Sequence, residues 1–325
     1  MKYLVIIFIV MWSNISYSSN AFKIYLSPQG SDSDRGLTKS YPVETLARAQ
    51  EILKTYDPNQ EIEVHINQGT YYDQSVIWTY TNGHSITFKP TDTSKGRPVF
   101  DGGGSIATWF KLSKSNGSES SLKFRYIKVQ NYNIAMSFEG NRNDFASWNS
   151  GNELYGMYFY RIGGKYTDFK YSPAAIRFAN SRNNIVENSY FVDILNDSKT
   201  ASYIHAIYFA HYSSDNKVVR NQFHTINGDP IRVRDESNYN YIAGNRFYSS
   251  GARAFYSDWY CNEDTRDCSK ASGECPSIGN EFHYNDLYSG YDGIIEAFTY
   301  YGENNHCGVL PAPRIRASGN KLYYE

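Results

Sequence analysis

The chain lacks the features that would direct it to nucleic acid, a membrane core or a metal cluster. Its 32 lysines and arginines face 33 aspartates and glutamates. That leaves no basic excess to neutralise phosphates, so no nucleic-acid partner is expected. Beyond residue 12 no apolar run approaches the roughly 20 residues of a bilayer span. Cysteine is absent before Cys261, and the four present, Cys261, Cys268, Cys275 and Cys307, include no Cys-x-x-Cys pair and no histidine at zinc-finger spacing. An even count in an exported chain points to two disulfides, with three connectivities open. Charged residues make up only 20% of the chain and nearly cancel, which argues against a disordered tail.

The one apolar run is N-terminal. Lys2 precedes Leu4-Val-Ile-Ile-Phe-Ile-Val-Met-Trp12, and Ser16, Ser18 and Ser19 follow. A basic start, an apolar core and a small-residue exit describe a secretory signal peptide over residues 1–19. The expected mature chain, 20–325, is extracellular or periplasmic, monomeric, and long enough to bury one large core.

Tyrosine is what the chain has in excess, with 31 residues. A flat apolar face with a polar tip suits strands and also carbohydrate surfaces. A strand is expected at Phe22–Leu26, and a short helix from Val43 to Lys54, marked by Ser40 and Pro42 and stopped by Asp57-Pro58. Strands resume at Ile62–Ile66. Thereafter short β segments alternate with Asn/Gly/Ser turns.

Those segments repeat. Ala175-Ile-Arg-Phe-Ala-Asn180 with Asn184, Ala206-Ile-Tyr-Phe-Ala-His211 with Asn216, and Pro230-Ile-Arg-Val-Arg-Asp235 with Asn240 align at offsets of 31 and 24 residues. Short strands at such a period signal a β-solenoid, whose single coil cannot bury its inner face but whose stacked coils bury a column. The recurring Asn suits a bend in left-handed backbone, and equivalent amides could stack into a ladder. About 306 residues at this period make roughly eight to ten coils.

Two stretches carry a family resemblance. Ile24-Tyr-Leu-Ser-Pro-Gln-Gly-Ser-Asp, Pro42-Val-Glu-Thr-Leu-Ala-Arg-Ala-Gln50 and Gln68-Gly-Thr-Tyr71 resemble the opening region of the right-handed parallel β-helix superfamily of pectate-lyase-like secreted proteins. The Asn-x-Phe coils resemble its repeats. The resemblance implies an all-β, single-stranded right-handed parallel β-helix with a short N-terminal capping helix. It implies little about reaction, because that superfamily hosts lyases, hydrolases, epimerases and binding proteins. The single domain would hold the cap and first coils in 20–105 and inserted loops at 257–278 and 296–313.

Strand alternation turns the alignment into a site. With Ile176, Ile207, Ile231, Phe178, Phe209 and Val233 inward, Arg177, Tyr208, Arg232 and Arg234 face outward, flanked by His205, His211, Asp229 and Asp235. Arginine's planar fork matches carboxylate or sulfate, so the expected partner is an acidic polysaccharide or oligosaccharide. The same arginines could instead pair with Asp229, Asp235 and Glu236 in a salt-bridge ladder. β-Elimination on a uronate needs the carboxylate neutralised, a base for the C5 proton and an acid for the leaving oxygen. Tyr208 with His205 or His211 is the candidate acid–base pair. Arg177, Arg232 and Arg234 form the clamp, and Arg232 is an alternative base by analogy with lyases of this fold.

A hydrolase of this fold would use paired carboxylates, here Asp229 with Asp235 or Asp258. A C5-epimerase would share the lyase's proton abstraction. A non-catalytic carbohydrate-binding β-helix would use the same face without a histidine. Strict alternation turns both histidines inward. Trp259, Tyr256 and Tyr260, beside the cysteine-rich insertion, are candidates for stacking on sugar rings. No cofactor is required; Ca2+ is an option on Asp229, Asp235 and Asp258.

Overall fold

In the computed structural model, residues 21–113, 120–300 and 307–323 are described; the expected signal peptide lies outside them. Among the described residues the strands form three large sheets, of ten, nine and eight strands, plus one two-stranded pair. Each interior coil contributes one strand to each large sheet, and neighbouring coils pair in parallel. The first strand, Phe22–Leu26, joins only the ten-stranded sheet, and the last coil adds none to the eight-stranded one. The chain is a right-handed parallel β-helix, and the ten strands of the longest sheet match the expected coil number.

The aligned register holds. Arg177 pairs with Tyr208 and Tyr208 with Arg232. Ile176, Ile207, Ile231, Phe178, Phe209 and Val233 are all fully buried. Equivalent core rings stack along the axis: Phe138, Phe178 and Phe209 have centroids 5.0 and 5.2 Å apart, close to the strand spacing of roughly 4.8 Å.

The recurring asparagines form ladders. Nδ2 of Asn152, Asn184, Asn216 and Asn240 donates to Oδ1 of the next coil's Asn184, Asn216, Asn240 and Asn280, at 2.8–3.1 Å. Asn221, Asn245, Asn285 and Asn320 make a second ladder. The left-handed backbone expected at these asparagines belongs instead to the residue before: Asn183, Asp215 and Tyr239 precede the first ladder with φ of 55, 59 and 56°. The ladder asparagine is thereby turned inward, where its amide is satisfied without water. Glycine takes this position at Gly279 and Gly319, and there a neighbouring ring covers it. A Cβ on Gly279 would lie 2.5 Å from the Tyr239 ring, and one on Gly319 2.4 Å from Tyr284.

The helix runs over Leu46–Tyr56, three residues later than expected at its start. Val43 is held as a bridge to Leu26, and Thr45 is the N-cap, its Oγ1 accepting from Arg48 N. Asp57, at φ 42°, ends it. Leu46, Ala49, Ile52 and Leu53 are buried. Gln50 Nε2 donates to the carbonyl of Ile77, in the first strand of the eight-stranded sheet. The helix therefore packs on the first coil.

Two loop boundaries differ from expectation. Residues 257–259 complete the strand Ala254–Trp259, and Glu296–Tyr300, expected in a loop, adds another strand to the same sheet. The disulfides are Cys261–Cys268 and Cys275–Cys307.

Candidate active site

The eight-stranded sheet carries the candidate residues. Its outward column reads Lys111, Ser137, Arg177, Tyr208, Arg232, Ser257 and Thr299, one per coil. Two residues on, Ala179, Ala210, Arg234 and Trp259 form the adjacent column. Small alanines beside Tyr208 leave room for its ring and for the long Arg234 side chain.

Every arginine of the expected clamp has an acidic partner. Arg177 Nη1 lies 2.9 Å from Glu139, whose other oxygen takes Lys111 at 2.8 Å. Arg232 Nη2 lies 3.0 Å from Asp229, and its Nε donates to Ser257 Oγ at 2.7 Å. Arg234 forks onto Glu274, with Nη2 2.8 Å from Oε1, and its Nη1 donates to the Tyr208 hydroxyl at 3.4 Å. The salt-bridge reading is thus correct in kind, but with Glu139 and Glu274 where Asp235 and Glu236 were expected. Burial works against the Arg234 charge; Tyr208 and Glu274 outweigh it and hold its pKa above the ordinary value.

The histidines part company. His205 is buried, as alternation requires. Its Nδ1 lies 2.7 Å from the Asp229 carbonyl, which can only accept, so Nδ1 carries the proton and Nε2 remains an acceptor. Burial, then the Arg232 charge, push its pKa down to about 3, so His205 stays neutral near pH 7. His211 breaks alternation because its backbone is left-handed, at φ 53°. Its side chain is 26% exposed, and Nδ1 lies 2.7 Å from Oδ2 of the fully buried Asp235. A buried carboxylate on Nδ1 orients the ring and turns Nε2 outward, the arrangement of a general base.

These groups line two cavities, of about 560 and 480 Å³, which share Pro173, Tyr208 and Arg234 and so form one groove. Lys170, Arg177, Arg232, Arg234, Arg253 and Arg266 line it, against one carboxylate, Asp229. Of the balancing carboxylates Glu274 is buried, whereas Glu139 is half-buried beside Arg177. Tyr171 and Tyr203, 54% and 60% exposed, flank the opening. A chain of net charge −1 thus concentrates positive charge in one concave face, where fields are focused.

Four expected contacts are corrected. Asp229, 2% exposed, is spent internally: Oδ2 holds Arg232, and Oδ1 accepts the N–H of Arg253 and of Ala254. Burial pushes its carboxyl up, but Arg232 and these donors outweigh that and hold it below its usual range. Its turn needs Gly228, where a Cβ would lie 2.0 Å from the Ile204 carbonyl oxygen. Asp235 lies behind His211, also bound by Arg142 at 3.1 Å. Tyr256 pairs with Ile231 in the core column and is fully buried, as is Tyr260 at 1%, so neither can stack on a sugar. Trp259 does line the groove, with the Arg234 guanidinium 4.2 Å over its ring.

The same burial removes the hydrolase pair. Asp258 occupies an inward position and is bound to Arg314 at 2.7 Å, so no two of Asp229, Asp235 and Asp258 face the groove. Nor do these residues fit Ca2+, which requires several oxygen ligands. His211, Asp235 and Glu274 bring ligand atoms within 4.8 Å of one another, but guanidinium groups occupy both carboxylates and the third donor is nitrogen.

Sequence reasoning missed Glu139, Glu274, Ser257, Arg142 and Lys170. Glu139 and Ser257 were within reach, since extending the coil alignment one rung each way places Glu139 beside Ala179 and Ser257 beside Arg232 on the outward face. Glu274 sits in an irregular loop 40 residues from Arg234, beyond any periodic signal.

No protein-family model and no curated protein matches the sequence. Solved structures similar to the chain include an alginate lyase from a Paenibacillus species, with 12% identity, 86% of this chain and 96% of that one covered, and a TM-score of 0.47. A pectate lyase covers 93% of this chain and 74% of its own at 12% identity and TM-score 0.44. The catalytic domain of an α-1,3-glucanase in complex with nigerose covers 79% and 43% at 12% identity and TM-score 0.45. At such identities the likeness concerns the fold alone.

Proposed function

We propose that this chain is a secreted polysaccharide lyase that cleaves an acidic, uronate-containing polysaccharide by β-elimination. The observation that carries the reading is the groove itself: six cations and one carboxylate line it around Tyr208 and a His211 held by buried Asp235. Arg177 and Lys170 meet the substrate carboxylate and make the C5 proton acidic. His211 Nε2 takes that proton. The electron pair left on C5 forms the C4–C5 double bond as the C4–oxygen bond breaks, and the Tyr208 hydroxyl protonates the departing oxygen. The Arg234 guanidinium beside that hydroxyl stabilises the phenolate left behind. His205, neutral and buried, shapes the wall. Two disulfides support an oxidising compartment.

The test is incubation of the purified protein with polygalacturonate, polymannuronate, polyguluronate and sulfated glycans. Ultraviolet absorbance of the new unsaturated end and reducing ends are followed together. Both rising supports elimination. Reducing ends alone mean hydrolysis, and solvent deuterium entering at C5 without cleavage means epimerisation. Binding with none of these makes the chain a carbohydrate-binding protein.

A further inference from the structure

Arg234 stands between two unlike groups. Its Nη1 reaches the Tyr208 hydroxyl at 3.4 Å. On the other side Nε lies 3.0 and 2.8 Å from the two oxygens of Glu274, and Nη2 lies 2.8 Å from Oε1. The strand alone does not impose this. The neighbouring rungs are Ala210 and Trp259; the Trp259 ring supports one face of the guanidinium, but the small Ala210 leaves its direction within that plane open. Glu274 removes that freedom. It is 1% exposed, and its Oε2 also accepts the N–H of Cys261 at 2.9 Å. Cys261 is bonded to Cys268, and Cys275, next to Glu274, is bonded to Cys307. The carboxylate is delivered by a loop pinned at both sides.

We propose that Glu274 is a positioning residue that holds Arg234 against Tyr208, and that the disulfide-pinned loop serves to place it there. The proposal rests on Tyr208 being the group that protonates the leaving oxygen. Misplacement of a stabilising group by about 1 Å costs on the order of a hundredfold in rate. A glutamate that merely balanced a buried charge would be replaced without loss by aspartate. One that sets a position would not, because aspartate ends one methylene short.

The experiment measures kcat and KM for Glu274→Asp, Glu274→Gln, Arg234→Lys and the Glu274→Gln/Arg234→Lys double variant on the polyuronate that the wild type cleaves. Thermal midpoints identify any variant that fails to fold. Glu274→Asp keeps the charge and remains informative if Glu274→Gln does not fold. Both Glu274 variants should lose roughly tenfold to a hundredfold in kcat with little change in KM. In the Arg234→Lys background Glu274→Gln should add nothing, since both act through one group. Wild-type kcat in Glu274→Asp, or losses that multiply in the double variant, would overturn the proposal. A wild type that cleaves no polyuronate, or a Tyr208→Phe variant at full rate, would overturn the reading of the site and this proposal with it.

Discussion

Replacing His205 with glutamine should change how the stability of this protein depends on pH. His205 is buried, donates Nδ1–H to the Asp229 carbonyl, and faces the Arg232 charge, the Asp229 carboxylate and the Tyr208 ring. Its pKa falls from 6.5 to about 3. A base whose folded pKa is depressed stays neutral in the fold while the unfolded chain takes up the proton. The contribution is whole above pH 6.5 and is lost as pH falls toward 3. Each pH unit in that window removes about 1.4 kcal/mol, so about 2 kcal/mol is gone at about pH 5. Glutamine can donate to the same carbonyl but does not titrate. Urea unfolding of wild type and His205→Gln at about pH 7.5 and about pH 5 isolates this contribution, because the many carboxylates common to both proteins cancel in the double difference. The gap between the two should move by about 2 kcal/mol against the wild type on acidification. A gap that stays constant within about 0.5 kcal/mol would show that the ring accepts a proton in place, and the argument for a neutral His205 would fall.

Three further outcomes follow from the geometry. Tyr208→Phe removes the hydroxyl at Arg234 Nη1 and should lower kcat by roughly a hundredfold or more with little effect on KM, read from ultraviolet product formation. Asp235→Asn, which keeps the shape but loses the charge on His211 Nδ1, should lower kcat by at least about tenfold with little change in KM, read from ultraviolet product formation. Phe209→Ala opens the stack between Phe178 and Val233 and should cost about 3–5 kcal/mol in chemical denaturation, with the disulfides intact.

The architecture was legible because a β-helix writes its coils into the sequence. Matching inward residues at 31 and 24 residues set the register of Arg177, Tyr208 and Arg232, and the structure pairs those residues. The bends were less legible. Asparagine's tolerance of left-handed backbone pointed to the ladder residues, whereas the strained residue precedes them and includes Arg220 and Tyr284. Burial of the whole coil, not local preference, sets those angles.

The sequence by itself determined that Arg177, Tyr208, Arg232 and Arg234 face outward from the aligned strands, because parity along a strand is a local property with a period of two. It also placed His205 inside. Only the tertiary structure decided what those side chains do. Whether an arginine is a free clamp or a held one depends on Glu139 one coil away and on Glu274 in a loop 40 residues on. Whether Asp235 meets substrate or orients His211 depends on a turn that buries it completely. Whether Tyr256 stacks on a sugar or fills the core depends on the strand beginning at Ala254 rather than after it. Charge pairing and burial are set by distances through space, and a one-dimensional pattern carries those only where the coils repeat.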